Sequence, residues 1–260
     1  MKAMLFRGLY NLKIMILEQL GQLAERLGNK ARLDGITIRM DNPLIRMDIK
    51  GEIMLGWYEF LERQLIQKYL PKDEPVIELG ASIGVVACEV NRTLALPHQH
   101  VVVEANCDLI PTLEKNRDMN HCQFDIMEGA IGYGSAYILF FSNEGSLTGS
   151  VYRGSGKTMK VQALTLQSIA EKAQFSYFNL ICDIEGSELD LVDHEIDYLY
   201  DHVGWILMEV HHFAPGGKRE MNEAIKKLQN KGFDIVRNFY IYYCLRNRNH
   251  KNRDAKDHLS

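Results

Sequence analysis

The chain is expected to fold as an α/β protein: a mostly parallel sheet with helices on both faces, preceded by an N-terminal helical extension. Three observations lead there. From Pro75 onward, strand-like and helix-like segments alternate, which is the pattern of βα units around a parallel sheet. The segment VIELGASIGV, Val76 to Val85, is an apolar run that passes through a small-residue turn into a helix-compatible stretch. Such a turn presents backbone N–H groups to a ligand. The run HVVVEAN ends its apolar stretch on Glu104, about twenty residues beyond the turn. A nucleotide-binding unit places there the carboxylate that holds ribose hydroxyls. Together the turn and Glu104 point to a cofactor that contains adenosine.

Residues 1–72 read as the helical extension, 73–246 as the main domain and 247–260 as a polar tail. Leu9, Leu12, Leu17, Leu20 and Leu27 recur at helical spacing, so an amphipathic helix is expected. It would pack on the domain, or else meet a membrane surface or another subunit. A second helix over Trp57–Leu70 is stopped by Pro71. Strands are expected at Val76–Leu79, His100–Glu104, Gln123–Met127, Tyr177–Asp183, Gly204–Val210 and Phe233–Val236. Helices are expected at Ser82–Leu94, Leu109–Met119, Thr165–Ala173, Ser187–Leu199 and Lys218–Asn230. Ala136–Ser142 and Met159–Leu164 interrupt this order as a hairpin, and Asn143–Lys157 between them, rich in Gly and Ser, reads as a mobile loop.

Composition narrows the function. A length of 260 residues suffices for a sizeable core. The formal net charge of -4 gives no support for nucleic acid as the main partner. Five cysteines without CxxC pairing suggest a reducing, cytoplasmic setting. No apolar run approaches the roughly 18 residues of a membrane span.

Several motifs compete for the same residues. Gly154–Thr158 imitates the end of a phosphate-binding loop, but Val151 stands where its first glycine belongs. Gly80-Ala81-Ser82-Ile83-Gly84 fits a serine-hydrolase elbow, and Asp183 and His211 follow in the order that fold uses. Only helices precede it, however, and no glycine-rich oxyanion segment lies upstream. A dinucleotide-binding oxidoreductase would want glycine where Ser82 stands. The looser pattern of Glu78, Gly80 and Gly84 suits a cofactor without phosphate, and S-adenosylmethionine is the obvious candidate.

With the later segments added, the chain resembles the FkbM-type methyltransferases, a class I S-adenosylmethionine-dependent family, from about Pro75 to Phe239. The most specific element is CDIEGSELDLV, where Asp183, Glu185, Gly186, Ser187 and Glu188 match the family pattern. VVVEAN at Val101–Asn106, EGAIG at Glu128–Gly132 and ILMEVHH at Ile206–His212 support it. Departures are Ile181 for a frequent lysine, Leu166-Gln167 for Leu-Asp, and Glu104-Ala105 for Glu-Pro.

The resemblance implies O-methylation of a hydroxyl on a sugar or glycan. It places the cofactor against Glu78, Gly80, Ala81, Ser82, Gly84, Glu104, Ala105 and Asn106. Glu128, Gly129, Ala130 and Asp183 complete that set, with adenine resting near Glu128–Ile131. Glu104 is the ribose acceptor, and Glu78 orients the turn or the methionine amino group. Asp183, Glu185 and His211 are the expected catalytic residues, since a weakly acidic hydroxyl benefits from a general base and histidine titrates near neutrality. Asp183 could instead cap the following helix. Tyr152, Arg153 and His212 are the expected acceptor contacts. No metal is expected, although Asp183, Glu209 and His211 form a set that magnesium would accept. The alternatives are a serine hydrolase built on Ser82, Asp183 and His211, or a methyltransferase-like protein that binds a partner without turnover.

Overall fold

The computed structural model of the chain describes residues 2–211 and 218–250. The N-terminal part holds α1 (Lys2–Arg26), a hairpin of β1 (Lys30–Leu33) and β2 (Ile36–Arg39), α2 (Met47–Leu55) and α3 (Phe60–Tyr69). The alternating region follows with β3 (Val76–Leu79), α4 (Val85–Thr93), β4 (His100–Glu104), α5 (Ile110–Met119), β5 (Asp125–Glu128) and β6 (Ala130–Ile131). Next come β7 (Tyr137–Ser142), β8 (Gly149–Ser150), β9 (Thr158–Leu164) and α6 (Leu166–Ala173). The chain continues through β10 (Phe178–Cys182), α7 (Glu188–His202), β11 (Val203–Glu209), α8 (Lys218–Lys231), β12 (Phe233–Phe239) and β13 (Tyr242–Asn247).

Seven strands form the main sheet in the order β12-β13-β11-β10-β3-β4-β5. Strands β11, β10, β3, β4 and β5 pair in parallel, while β13 inserts antiparallel between β11 and β12. The side-chain alternation of each strand sorts the core into two layers. Ile77, Leu79, Val101, Val103, Leu180 and Ile206 pack against α6, α7 and α8. Val76, Ile181 and Leu207 face α3 and α4, and Val102 faces α4 and α5. These are the parallel sheet and two helical faces that the sequence predicts. The expected hairpin is also present: β7 and β9 pair antiparallel with Tyr137 opposite Gln162. The intervening loop is more structured than expected, because β8 pairs with β7.

Three elements depart from expectation. The extension is not purely helical, since β1 and β2 pair across Asp34-Gly35, both with left-handed backbone. Four-residue strands leave too short an apolar alternation to stand out in sequence. Helix α2 is also additional, with a mixed apolar and charged pattern and Gly51 within it. Strand β13, also not expected, links β12 to the rest of the sheet, and Asn247 ties it down by donating to the carbonyls of Tyr200 and Val203. The chain just beyond it is not frayed, because His250 is buried.

The extension joins the main core rather than standing apart. Leu33, Ile36, Ile38, Met40 and Ile53 share one apolar cluster with Ile83, Val85, Leu113 and Phe124. Arg63 is buried on α3 and donates to Glu89 on α4 at 2.6 Å, to the Tyr58 carbonyl at 3.0 Å, and to Asp34. One guanidinium therefore clasps the hairpin turn, the α2–α3 loop and the main domain. Helices α1 and α2 cross at two glycines. A Cβ on Gly51 would lie 2.2 Å from the Leu17 carbonyl oxygen, and one on Gly21 2.1 Å from that of Met47. Gly51→Val is expected to cost about 1–3 kcal/mol by forcing this crossing apart, which a chemical denaturation curve would measure.

Candidate active site

The direction of the chain switches between β3 and β10. From β3 it builds outward through β4 and β5, then returns to add β10 and β11 on the other side. Open α/β sheets bind ligands at such a point, outside the carboxyl ends of the strands. A cleft lies there, lined by residues from the carboxyl ends of β3, β4, β5 and β10.

Its walls come from several elements. Leu79, Gly80 and Ser82 end β3, while Val103, Glu104 and Ala105 end β4. Gly129, Ala130 and Ile131 follow β5, and Asp183, Ile184, Glu185 and Ser187 follow β10. The sequence reading assigned most of these segments. It missed Tyr58 and Glu59 from the α2–α3 loop and Phe140 from the hairpin, while the Gly/Ser loop around Leu147–Lys157, expected to close over the acceptor, contributes Leu147, Thr148, Gly149 and Val151. The missed residues lie far away in sequence and carry no motif.

At Gly80 the turn leaves no room for a side chain: φ is +90° and a Cβ would sit 1.7 Å from the Asp183 carbonyl oxygen. Gly84 is also left-handed, and a Cβ there would strike Leu113 at 2.5 Å. Its role is to let α4 pack on α5, and it does not line the cleft. Ala81 and Asn106 are likewise buried behind the wall.

Glu104 lines the cleft at the end of β4. One carboxylate oxygen accepts from the Ser82 N–H and the other from the Asn106 N–H, both at 2.7 Å. Burial raises its pKa, those backbone donors oppose the rise, and the balance stands at about 7. Each oxygen keeps a lone pair in addition to its backbone bond. Ser82 adopts φ +49° to bring its N–H to Glu104.

Glu78 is placed differently from its expected role. It occupies a β3 position flanked by Val102 and Ile181, pointing away from the cleft. Its Oε2 lies 3.4 Å from His100 Nε2. Burial pushes Glu78 up to about 8 and His100 down to about 3, so burial favours the neutral form of both. Glu128 is exposed and also lies outside the cleft lining.

Behind the opposite wall, His211 sits inside a ring of carboxylates. Its Nδ1 lies 2.9 Å from Glu188, and its Nε2 lies 3.4 Å from Glu209 and 3.6 Å from both Asp183 and Glu185. Burial alone would lower its pKa. Hydrogen bonds to Glu188 and Glu209 and the charge of Asp183 outweigh burial and raise the value to about 11. His211 is therefore an imidazolium at neutral pH and not a free base. Burial, reinforced by Glu209, pushes Asp183 well above the usual carboxylate range. Asp183 Oδ1 is buried and has no hydrogen-bond partner. Asp183 does not cap α7, whose N-cap position is Ser187, itself without a capping bond.

The expected acceptor contacts separate. Tyr152 bonds to Asp190 through its hydroxyl, and neither it nor the exposed Arg153 lines the cleft. His212 lies outside the described residues.

The competing motifs do not assemble. Ser82 Oγ is buried without a hydrogen-bond partner, so no imidazole activates it as a hydrolase would require. Thr158 opens a strand rather than a helix, and Lys157 binds Asp108 at 3.1 Å, so Gly154–Thr158 forms no phosphate loop.

Solved structures with related architecture are remote. A protein of the NADB-Rossmann superfamily from Streptococcus agalactiae is 13% identical, with 71% of this chain and 65% of that chain covered at a TM-score of 0.43. The ribosomal protein L11 methylase from Lactobacillus delbrueckii subsp. bulgaricus is 12% identical over 74% of this chain and 79% of its own, at 0.43. Precorrin-6y C5,15-methyltransferase from Geobacter metallireducens is 11% identical over 71% and 86%, at 0.42. No curated protein matches the chain. The family model of the methyltransferase FkbM domain, by contrast, matches residues 77–235. That span holds the Gly80 turn, Glu104 and the Asp183–Glu188 motif, so the chain belongs to the FkbM methyltransferases and is an S-adenosylmethionine-dependent methyltransferase.

Proposed function

We propose that this enzyme methylates a hydroxyl group of a sugar or glycan, with S-adenosylmethionine held between the Gly80 turn and Glu104. The observation that carries the reading is the pair of acidic walls, Glu104 on one side and Asp183–Glu185 on the other, with His211 behind the second. The cleft fits the cofactor in three respects. Glu104 offers two anchored oxygens to vicinal hydroxyls, Gly80 removes the side chain that would fill the approach, and the Gly129–Ile131 edge offers small and apolar surface to a base. When bound, the cofactor supplies an electrophilic methyl group on a sulfonium sulfur.

The protein's own contribution is positioning and proton transfer. Holding acceptor and donor in line supplies much of the acceleration in such a reaction. An acceptor hydroxyl must lose its proton as its oxygen is methylated. Asp183 is the group placed to take it, with a buried oxygen that accepts no hydrogen bond and a raised pKa that makes it a stronger base than an exposed carboxylate. His211 stays charged, orients the Asp183 and Glu185 carboxylates, and limits their mutual repulsion. Among the described residues, the ionisable groups lining the cleft are Glu59, Glu104, Asp183, Glu185 and Tyr58, with no lysine, arginine or histidine. A phosphorylated or carboxylated acceptor would meet only like charge there, whereas a neutral sugar hydroxyl would not.

Asp183→Asn is expected to leave S-adenosylhomocysteine affinity within a few-fold while lowering kcat by about 10²–10⁴-fold. Release of S-adenosylhomocysteine with a panel of neutral, amino and acidic sugars measures both the acceptor and the effect. Turnover only on acidic sugars, or an Asp183→Asn enzyme with wild-type kcat, would contradict the reading.

A further inference from the structure

Helix α1 carries an apolar stripe that the rest of the described structure leaves uncovered. Its inner face packs on the domain through Leu17 and Ala24, exposed to 1% and 0%, and through the Gly21 crossing. Leu9, Leu12, Ile16 and Leu23 lie on another side, spaced for a single helical face, and are 42–59% exposed. Tyr10 and Trp57 add aromatic surface at 62% and 54%. Lys13 lies beside the stripe, half-exposed, with its Nζ 3.3 Å from Glu52 and 5.9 Å from the Trp57 ring centroid.

Charge selects the occupant. Residues 1–33 contain six basic residues (Lys2, Arg7, Lys13, Arg26, Lys30, Arg32) against Glu18 and Glu25, although the whole chain carries -4. Glu25 is already paired with Lys50 at 2.6 Å. The first seventeen residues contain no acid. A second copy would bring one positive segment against another. A surface of anionic lipid phosphates would satisfy both the cations and the apolar stripe. No helix among the described residues is long and apolar enough to cross a membrane, so α1 suits lying in the interface and not spanning it.

We propose that α1 docks the enzyme on an anionic membrane surface, with Leu9, Leu12, Ile16 and Leu23 entering the headgroup boundary while Lys13 and Arg26, on the two flanks of that stripe, meet lipid phosphates. Trp57 follows the membrane-facing side at the point where the chain turns into Tyr58 and Glu59, which line the cleft. Docking thus brings the mouth of the site close to the lipid surface.

Co-sedimentation of the full chain tests this, using phosphatidylcholine vesicles with and without about one-third phosphatidylserine. Binding to the serine-containing vesicles is expected, with at least about tenfold loss at high salt, where screening removes the charge term. Leu12→Glu with Ile16→Glu should lose binding similarly, and Lys13→Glu should lose part of it. These side chains lie outside the core, so unchanged thermal unfolding and S-adenosylhomocysteine affinity should accompany the loss. Absence of binding to serine-containing vesicles overturns the proposal. A wild-type dimer that the stripe substitutions convert to monomer, without vesicle binding, also overturns it and makes the stripe a contact between copies.

Discussion

Replacement of Glu104 by alanine is expected to weaken S-adenosylhomocysteine binding by about 2–4 kcal/mol, roughly 30- to 1000-fold. Two effects combine. The proposed ribose contact loses its carboxylate acceptor, and the Ser82 and Asn106 N–H groups lose the carboxylate that fixes the turn. Glu104→Gln separates them, because one amide oxygen still accepts while the NH₂ opposes a backbone donor. It should fall between wild type and alanine. Calorimetric titration reads all three proteins, and equal affinities would remove Glu104 from the cofactor site.

The second large effect concerns His211. Four carboxylates face its ring, and His211→Ala leaves them confronting one another in a largely buried site. Loss of one partner from such a cluster costs about 3–5 kcal/mol. The pH dependence has a definite sign. The folded pKa of about 11 lies above that of a free histidine, so wild-type His211 binds its proton more tightly in the folded state. Its stabilisation is complete below about pH 6.5 and is lost as pH rises toward 11. The stability gap between wild type and His211→Ala should therefore narrow between pH 7 and pH 10 in denaturant titrations. An NMR titration should find the ring still protonated at pH 9. A gap that widens with pH, or a ring that titrates near 6.5, would show that the carboxylate ring does not control this histidine.

Much of this architecture was legible because it is local. Val76–Leu79 and His100–Glu104 are short apolar runs that end in glycine or acid, and both form the strands expected of them. The antiparallel edge was not legible, because Tyr242–Asn247 mixes aromatic and polar residues and its partner β11 lies over thirty residues earlier. Site residues divide in the same way. Glu104, Gly80 and Asp183 follow strand ends, so the fold class alone carries them to the cleft. Glu78 shares that motif, but strand alternation turns it to the opposite face, toward His100. The sequence also could not reveal the charge state of His211. That depends on Glu188, Glu209, Asp183 and Glu185 converging from two strand ends and a helix, and only the three-dimensional arrangement brings them within 3.6 Å. Tyr58 and Glu59 reach the cleft through the Arg63 clasp, a tertiary device with no sequence signature.

The most direct test is calorimetric titration of the wild-type chain with S-adenosylhomocysteine, run beside a dinucleotide such as NAD. The account predicts saturable binding of one S-adenosylhomocysteine per chain and no heat from the dinucleotide, whose pyrophosphate would face acids and the strained Ser82 turn. Tight dinucleotide binding, or no binding of S-adenosylhomocysteine at millimolar concentration, would contradict the assignment of this cleft.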